Sequence, residues 1–74
     1  MKEVRVTISG NKHSGKTNLA VLIVRMLRTH GIQATLPDDP QITEKVGQSS
    51  EVLAARLDDW KVAVSLEELD TTFP

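Results

Sequence analysis

The sequence lacks cysteine and is poor in aromatic residues, and both shortages narrow what the protein can be. Without cysteine it can form no disulfide and no thiolate metal site, and two histidines, His13 and His30, are too few for a zinc site. Trp60 and Phe73 are the only aromatic residues, which excludes the base-stacking surface of single-strand-binding proteins. The formal net charge of -1 also argues against a basic surface, so we expect no nucleic-acid partner.

Long apolar runs are absent as well. The longest run, residues 19–24, is far shorter than the about 20 residues that span a bilayer, so we expect no membrane partner. The first residues alternate at once between apolar and polar, unlike a signal peptide. With 39% hydrophobic and 26% charged residues in 74, the composition is typical of one soluble domain, which we expect to be cytoplasmic.

Hydrophobic periodicity predicts strands alternating with helices. Residues 4–8 alternate with period two and are rich in β-branched side chains, which favours a strand. A helix is predicted from residue 16 to about residue 30, with Gly31 as its left-handed cap. Further strands are predicted at residues 32–36 and 61–66.

Two more helical segments are predicted between the second and third strands. Asp39 can cap a short helix that begins at Pro40 and ends at Gly47, and either serine of the next break can cap a helix at residues 51–59. The fold class predicted is therefore α/β: a small three-stranded parallel sheet in β-α-β-α-β order, with helices on both faces. Residues 3–66 would form its core, and residues 67–74 an acidic tail.

The first predicted helix has an unusually wide apolar surface. Spaced at about 100° per residue, seven side chains cover an arc of roughly 200°: Leu19, Ala20, Leu22, Ile23, Val24, Met26 and Leu27. Val21 lies near the polar side, which includes Asn18. The arc is wider than a helix on one sheet face needs, so part of it is available to a partner.

One motif carries chemistry. A glycine, four residues and then Gly-Lys-Thr follow the first strand and open the first helix, in the order Gly10, Asn11, Lys12, His13, Ser14, Gly15, Lys16 and Thr17. This is the phosphate-binding-loop pattern in the context that it requires. The glycines let the backbone turn and approach phosphate oxygens closely, and successive amides converge at the helix N-terminus. Lys16 would neutralise the β- and γ-phosphates as the catalytic lysine, and the Thr17 hydroxyl would bind Mg²⁺.

At these eight residues the chain resembles the P-loop NTPase superfamily, whose Walker A motif they match. Its length and element order resemble the short, stand-alone, kinase-like P-loop proteins of bacteriophage and bacteria, which would place it in a bacterial or phage-infected cytoplasm. The resemblance implies ATP or GTP with Mg²⁺ as ligands, and a sheet whose third strand lies between the first and second.

The sequence gives weaker evidence for the residues that would complete the site around the loop. Glu67 follows the third predicted strand, where the family carries its Walker B acid, and is the candidate second metal ligand; a solvated acidic strand end is the alternative. Asp38 and Asp39 are explained by turn formation beside prolines. Trp60 is expected to cover the core or a sheet edge and not to stack on adenine.

Two functions from different classes remain open. The first is binding of a nucleoside triphosphate or phosphate through the loop, with weak or no hydrolysis by the chain alone, because no lid or acceptor site fits after Leu66. The second is a non-enzymatic, phage-type accessory or interaction protein that keeps the loop as scaffold. The expected partners are a nucleotide or phosphate anion, together with a second copy of the chain or another protein.

Overall fold

The computed structural model describes residues 4–11 and 14–68, and this part of the chain contains three helices. Helix α1 is Lys16–Thr29, α2 is Pro40–Val46 and α3 is Ser50–Asp59. All three lie where periodicity and capping residues predicted them. The last residues of the predicted acidic tail, 69–74, are outside the described residues.

The ends of the helices follow from single residues. The Asp39 carboxylate accepts a hydrogen bond from the Gln41 amide at 2.8 Å, with Pro40 at the first position of α2, as predicted. Of the two candidate serines, Ser49 caps α3, accepting from the Val52 amide at 3.2 Å. Gly31 follows α1 with φ of 77°, the left-handed conformation predicted for it.

Helix α1 packs against both α2 and α3, and of the predicted apolar arc only Val24 is buried. Its buried residues are Asn18, Val21 and Val24, and the Asn18 side chain, 1% exposed, directs its amide nitrogen to the Leu53 carbonyl at 3.5 Å. Val21 was expected near the polar side, and Ile23 on the predicted apolar arc lies about 160° away around the helix. Periodicity identified the apolar residues, but the neighbouring helices determine which face is covered.

Arg25 lies beside that buried face and secures the turn between α2 and α3. Its guanidinium donates to the Val46 carbonyl at 2.9 Å, the Gln48 carbonyl at 2.7 Å and the Ser50 hydroxyl at 3.0 Å. A planar group with several donors suits such a set of acceptors. Arg25 therefore joins α1 to the connection between the other two helices.

The predicted parallel sheet is wrong for the described residues, 4–11 and 14–68, which contain no strand. Residues 4–10 and 63–68 make no backbone hydrogen bonds with one another there, and a strand exists only where such a ladder forms. The Ala34 carbonyl, in the second predicted strand, instead accepts from the Arg28 side chain at 3.1 Å. In the described residues the β-α-β-α-β order and the central third strand are therefore replaced by three helices joined by segments without regular secondary structure.

Residues 4–10 and 62–68 line one groove, of about 950 Å³, together with Leu19 and Ile23 of α1. Two residues of the apolar arc thus line this groove, whereas Val24 of the same arc is buried in the core. Val4 and Leu66, one on each segment, are 88% and 91% exposed. Among the described residues, the buried apolar core consists of Val21, Val24 and Leu53.

Candidate functional site

The motif at residues 10–17 leads directly into α1. Gly15 is the N-cap residue of α1, with φ of 89° and ψ of 17°, a left-handed conformation that favours glycine. The Gly15 carbonyl accepts the first helical hydrogen bond, from the Leu19 amide at 3.0 Å. The helix therefore begins inside the motif, as predicted, with Lys16 and Thr17 in its first turn.

The loop closes tightly on itself at Gly10. A β-carbon at this residue would lie 2.9 Å from the Ser14 hydroxyl oxygen and 3.7 Å from carbons of the Lys16 side chain. The Ser14 amide donates to the Asn11 carbonyl at 3.2 Å, which forms a turn within the motif. The left-handed turn is made at Gly15, and the close approach at Gly10 is to the Ser14 and Lys16 side chains. The approach of the backbone to phosphate oxygens stays a prediction.

The Lys16 ammonium group lies over the loop. Its Nζ donates to the Gly10 carbonyl at 2.9 Å and to the Asn11 carbonyl at 3.4 Å. These are exposed hydrogen bonds to neutral acceptors, and an ammonium ion pairs more strongly with a charged phosphate oxygen. The lysine is held beside the loop, where an anion can replace the carbonyls as its partner.

The first turn of α1 offers amide donors. The backbone amides of Lys16, Thr17 and Asn18 have no acceptor within the described part of the chain, and the N-cap Gly15 supplies no side chain to accept from them. Helix α2 and helix α3, in contrast, are capped by Asp39 and Ser49. Amides at a helix N-terminus, with the positive end of the helix dipole, attract anions.

A cleft of about 560 Å³ opens beside the loop. It is lined by residues 14–17, by Gln41, Glu44 and Lys45 of α2, and by Trp60. The three α2 residues are spaced three and four apart, which places them on one helix face. The volume is within the range of small-molecule sites.

Trp60 borders the loop directly. A β-carbon on Gly15 would lie 3.4 Å from Cε3 and 3.5 Å from Cζ3 of the indole, which therefore packs against the loop backbone. Its side chain is still 49% exposed. The sequence predicted that Trp60 covers the core or a sheet edge, whereas in the structure it forms a wall of the cleft.

The two candidate metal ligands line different spaces. Thr17 borders the cleft with α2, whereas Glu67 borders the groove between residues 4–10 and 62–68, with Lys16 common to both. No group of three or more acidic, histidine or cysteine residues in the described chain is placed to hold a metal ion. Mg²⁺ usually takes only one or two protein ligands beside waters and substrate phosphates, and the two ligands predicted here, Thr17 and Glu67, line different spaces.

The structure brings together Gly10, Asn11, Ser14, Gly15, Lys16 and Thr17 of the predicted site. Lys12 and His13 lie outside the described residues. Sequence reasoning missed the wall formed by Gln41, Glu44 and Lys45, although their spacing on the second helix was a usable signal. It could not show that this face meets the loop, because that depends on how α2 packs on α1.

Comparisons with protein-family models, curated proteins and solved structures gave no match. The resemblance to P-loop proteins thus depends on the motif at residues 10–17. Among the residues that the structure describes, no helix has the length and apolar character needed to cross a membrane.

Proposed function

We propose that the protein binds a nucleoside triphosphate or a related phosphate anion at residues 10–17, with weak or no hydrolysis by the chain alone. Two observations carry this proposal: Lys16 Nζ is bound to the neutral Gly10 and Asn11 carbonyls of the loop, and the first-turn amides of α1 have no acceptor among the described residues. Both kinds of donor favour a negatively charged oxygen.

The chemistry available to the chain is binding and charge neutralisation. Lys16 exchanges its carbonyl partners for phosphate oxygens, and the amides of the first turn hold further oxygens. Thr17, which lines the cleft, has a hydroxyl suited to Mg²⁺ that arrives with the nucleotide. Bound Mg²⁺ supplies additional neutralisation of the phosphate charge.

The expectation of weak or no hydrolysis follows from what surrounds the loop. Phosphoryl transfer needs a carboxylate for the metal and a group that orients the nucleophile, in addition to the phosphate cradle. Glu67, the candidate acid, lines the groove and not the cleft that Thr17 borders. A partner that supplies these groups would be needed for appreciable turnover.

Calorimetric titration of the full chain with ATP, GTP and pyrophosphate, with and without Mg²⁺, tests the proposal. We expect micromolar binding, similar dissociation constants for ATP and GTP, and a loss of at least tenfold in Lys16→Ala. Arg56→Ala is the control, because it removes a positive charge from α3 outside the cleft. Absence of heat at millimolar ligand, or equal affinity in Lys16→Ala, would contradict phosphate binding at the loop.

A second candidate function is self-association through the groove. It is favoured by the exposure of Val4, Val6, Val64 and Leu66 on the two segments that line it. Arg5 is on one segment and Glu67 and Glu68 are on the other, so a second copy turned about a two-fold axis brings opposite charges together. Under this alternative the loop is scaffold, and Lys16→Ala leaves association intact.

A further inference from the structure

The residues that line the cleft outside the motif have a chemistry of their own. They are Gln41, Glu44, Lys45 and the half-exposed Trp60, and they line the cleft together with residues 14–17. An aromatic face beside the amides does not contribute to the binding of inorganic phosphate. The combination of a flat apolar surface, hydrogen-bonding groups and a second cation matches the parts of a nucleotide.

We propose that this cleft is the nucleoside subsite of the protein, with Trp60 stacking on the base and Lys45 pairing with a phosphate. The proposal rests on the function proposed above, because the same ligand has its phosphates on the loop. It names the ligand class more closely: a nucleotide and not a simple phosphate or polyphosphate.

The position of Trp60 supports stacking. Its benzo ring packs beside Gly15, so the indole is held at the edge of the phosphate site while about half of its surface stays exposed. Aromatic faces stack on any nucleobase, and such stacking tolerates the identity of the base. The subsite therefore increases affinity for nucleotides without distinguishing adenine from guanine.

The polar groups of α2 complete the subsite. Lys45 is in the last turn of α2 and lines the cleft together with Lys16, so a phosphate chain between them meets positive charge on both sides. Gln41 and Glu44 lie on the same face and offer oxygens that can accept hydrogen bonds from ribose hydroxyls. None of these groups belongs to the motif.

The chain is well suited to a direct test, because Trp60 is its single tryptophan and it has no tyrosine. Its fluorescence would be followed during titration with ATP, GTP and tripolyphosphate, which lacks a nucleoside, and affinities would be measured by calorimetry. We expect both nucleotides to quench the emission and to bind about tenfold more tightly than tripolyphosphate. Tripolyphosphate should bind with little quenching.

Variants separate the subsite from the phosphate loop. Trp60→Ala should lower the affinity for ATP to that for tripolyphosphate. The affinity for tripolyphosphate should not change, and this unchanged binding also shows that the variant is folded. Trp60→Phe should retain most of the nucleotide preference. Lys45→Ala should lower the affinity for all three ligands several-fold. Arg56→Ala should leave all three affinities unchanged.

The outcomes distinguish this proposal from the one on which it rests. If ATP and tripolyphosphate bind equally tightly to the unmodified chain, without quenching, the nucleoside subsite is wrong and the phosphate loop stands. If neither binds, both are wrong. A nucleotide preference that survives Trp60→Ala would also overturn the role of the indole.

Discussion

Gly15 combines a backbone requirement and a packing requirement in one residue. Its φ of 89° is in the left-handed region, and a β-carbon there would lie 2.5 Å from Cδ2 of Leu57 and 3.4 Å from the indole of Trp60. The motif predicted a glycine for its close approach to phosphate. The structure adds that the same glycine lets α3 pack against the start of α1.

Replacement of Gly15 by alanine should therefore lower the free energy of unfolding by more than replacement of a glycine that is needed only for its left-handed backbone conformation. Gly31 is the matched control, because its φ is 77° and a β-carbon on it would meet no neighbouring atom of the described chain within 4 Å. We expect Gly15→Ala to lower the free energy of unfolding by about 2–3 kcal/mol and Gly31→Ala by about 1 kcal/mol. Urea unfolding measures both, and equal losses would show that the Leu57 contact contributes nothing.

The motif residues were the part of the candidate site that could best be predicted from the sequence. The eight-residue motif carries its geometry within its own sequence, since glycines, lysine and threonine are spaced for one loop and one helix turn. Trp60 and Lys45 reach that loop only through the packing of α2 and α3 on α1. No local pattern specifies that contact, and so their place in the site could not be predicted.

At the scale of elements, the helices were predictable because their signals are local. Asp39 with Pro40, Ser49 and Gly31 each mark a helix end within a few residues of sequence. The absence of a sheet was not predictable, because the alternation in residues 4–8 indicates only a preference of these side chains for strands. It does not show whether a partner strand lies beside them. Among the described residues those segments have no hydrogen-bonded neighbour, so no sheet forms there.

The cap of α2 gives a quantitative prediction at this scale. Asp39→Ala removes the acceptor of the Gln41 amide and should lower the free energy of unfolding by about 1 kcal/mol. Asp38→Ala removes the same charge one residue earlier, outside the cap, and should change it by less than about 0.5 kcal/mol. Thermal and urea unfolding of the pair would measure the difference, and similar losses would mean that charge matters here and the cap does not.

The whole molecule has little buried apolar surface for its length. The Cα radius of gyration is 13.6 Å, above the about 11 Å expected for a compact domain of this length. Leu19 and Ile23 of the apolar arc of α1 line the groove and are not among the buried core residues. A chain of this kind gains stability when a partner covers such a surface.

Self-association through the groove is therefore the prediction at this scale. Light scattering coupled to size-exclusion chromatography should show a mass that rises with concentration toward that of a dimer. Val64→Asp, on the groove, should shift the protein to monomer, whereas Val52→Asp, on the exposed surface of α3, should not. A monomer at every concentration, or equal effects of the two variants, would contradict pairing through the groove.

Phosphate binding by the loop is the central claim, and amide chemical shifts test it most directly. In a ¹⁵N-labelled sample titrated with pyrophosphate, the account predicts that the largest saturable shifts occur at the amides of Gly15, Lys16 and Thr17. The same titration of Lys16→Ala should show much smaller shifts at equal ligand concentration. Shifts that never saturate, or that fall mainly on α3 and the residues after it, would contradict the account.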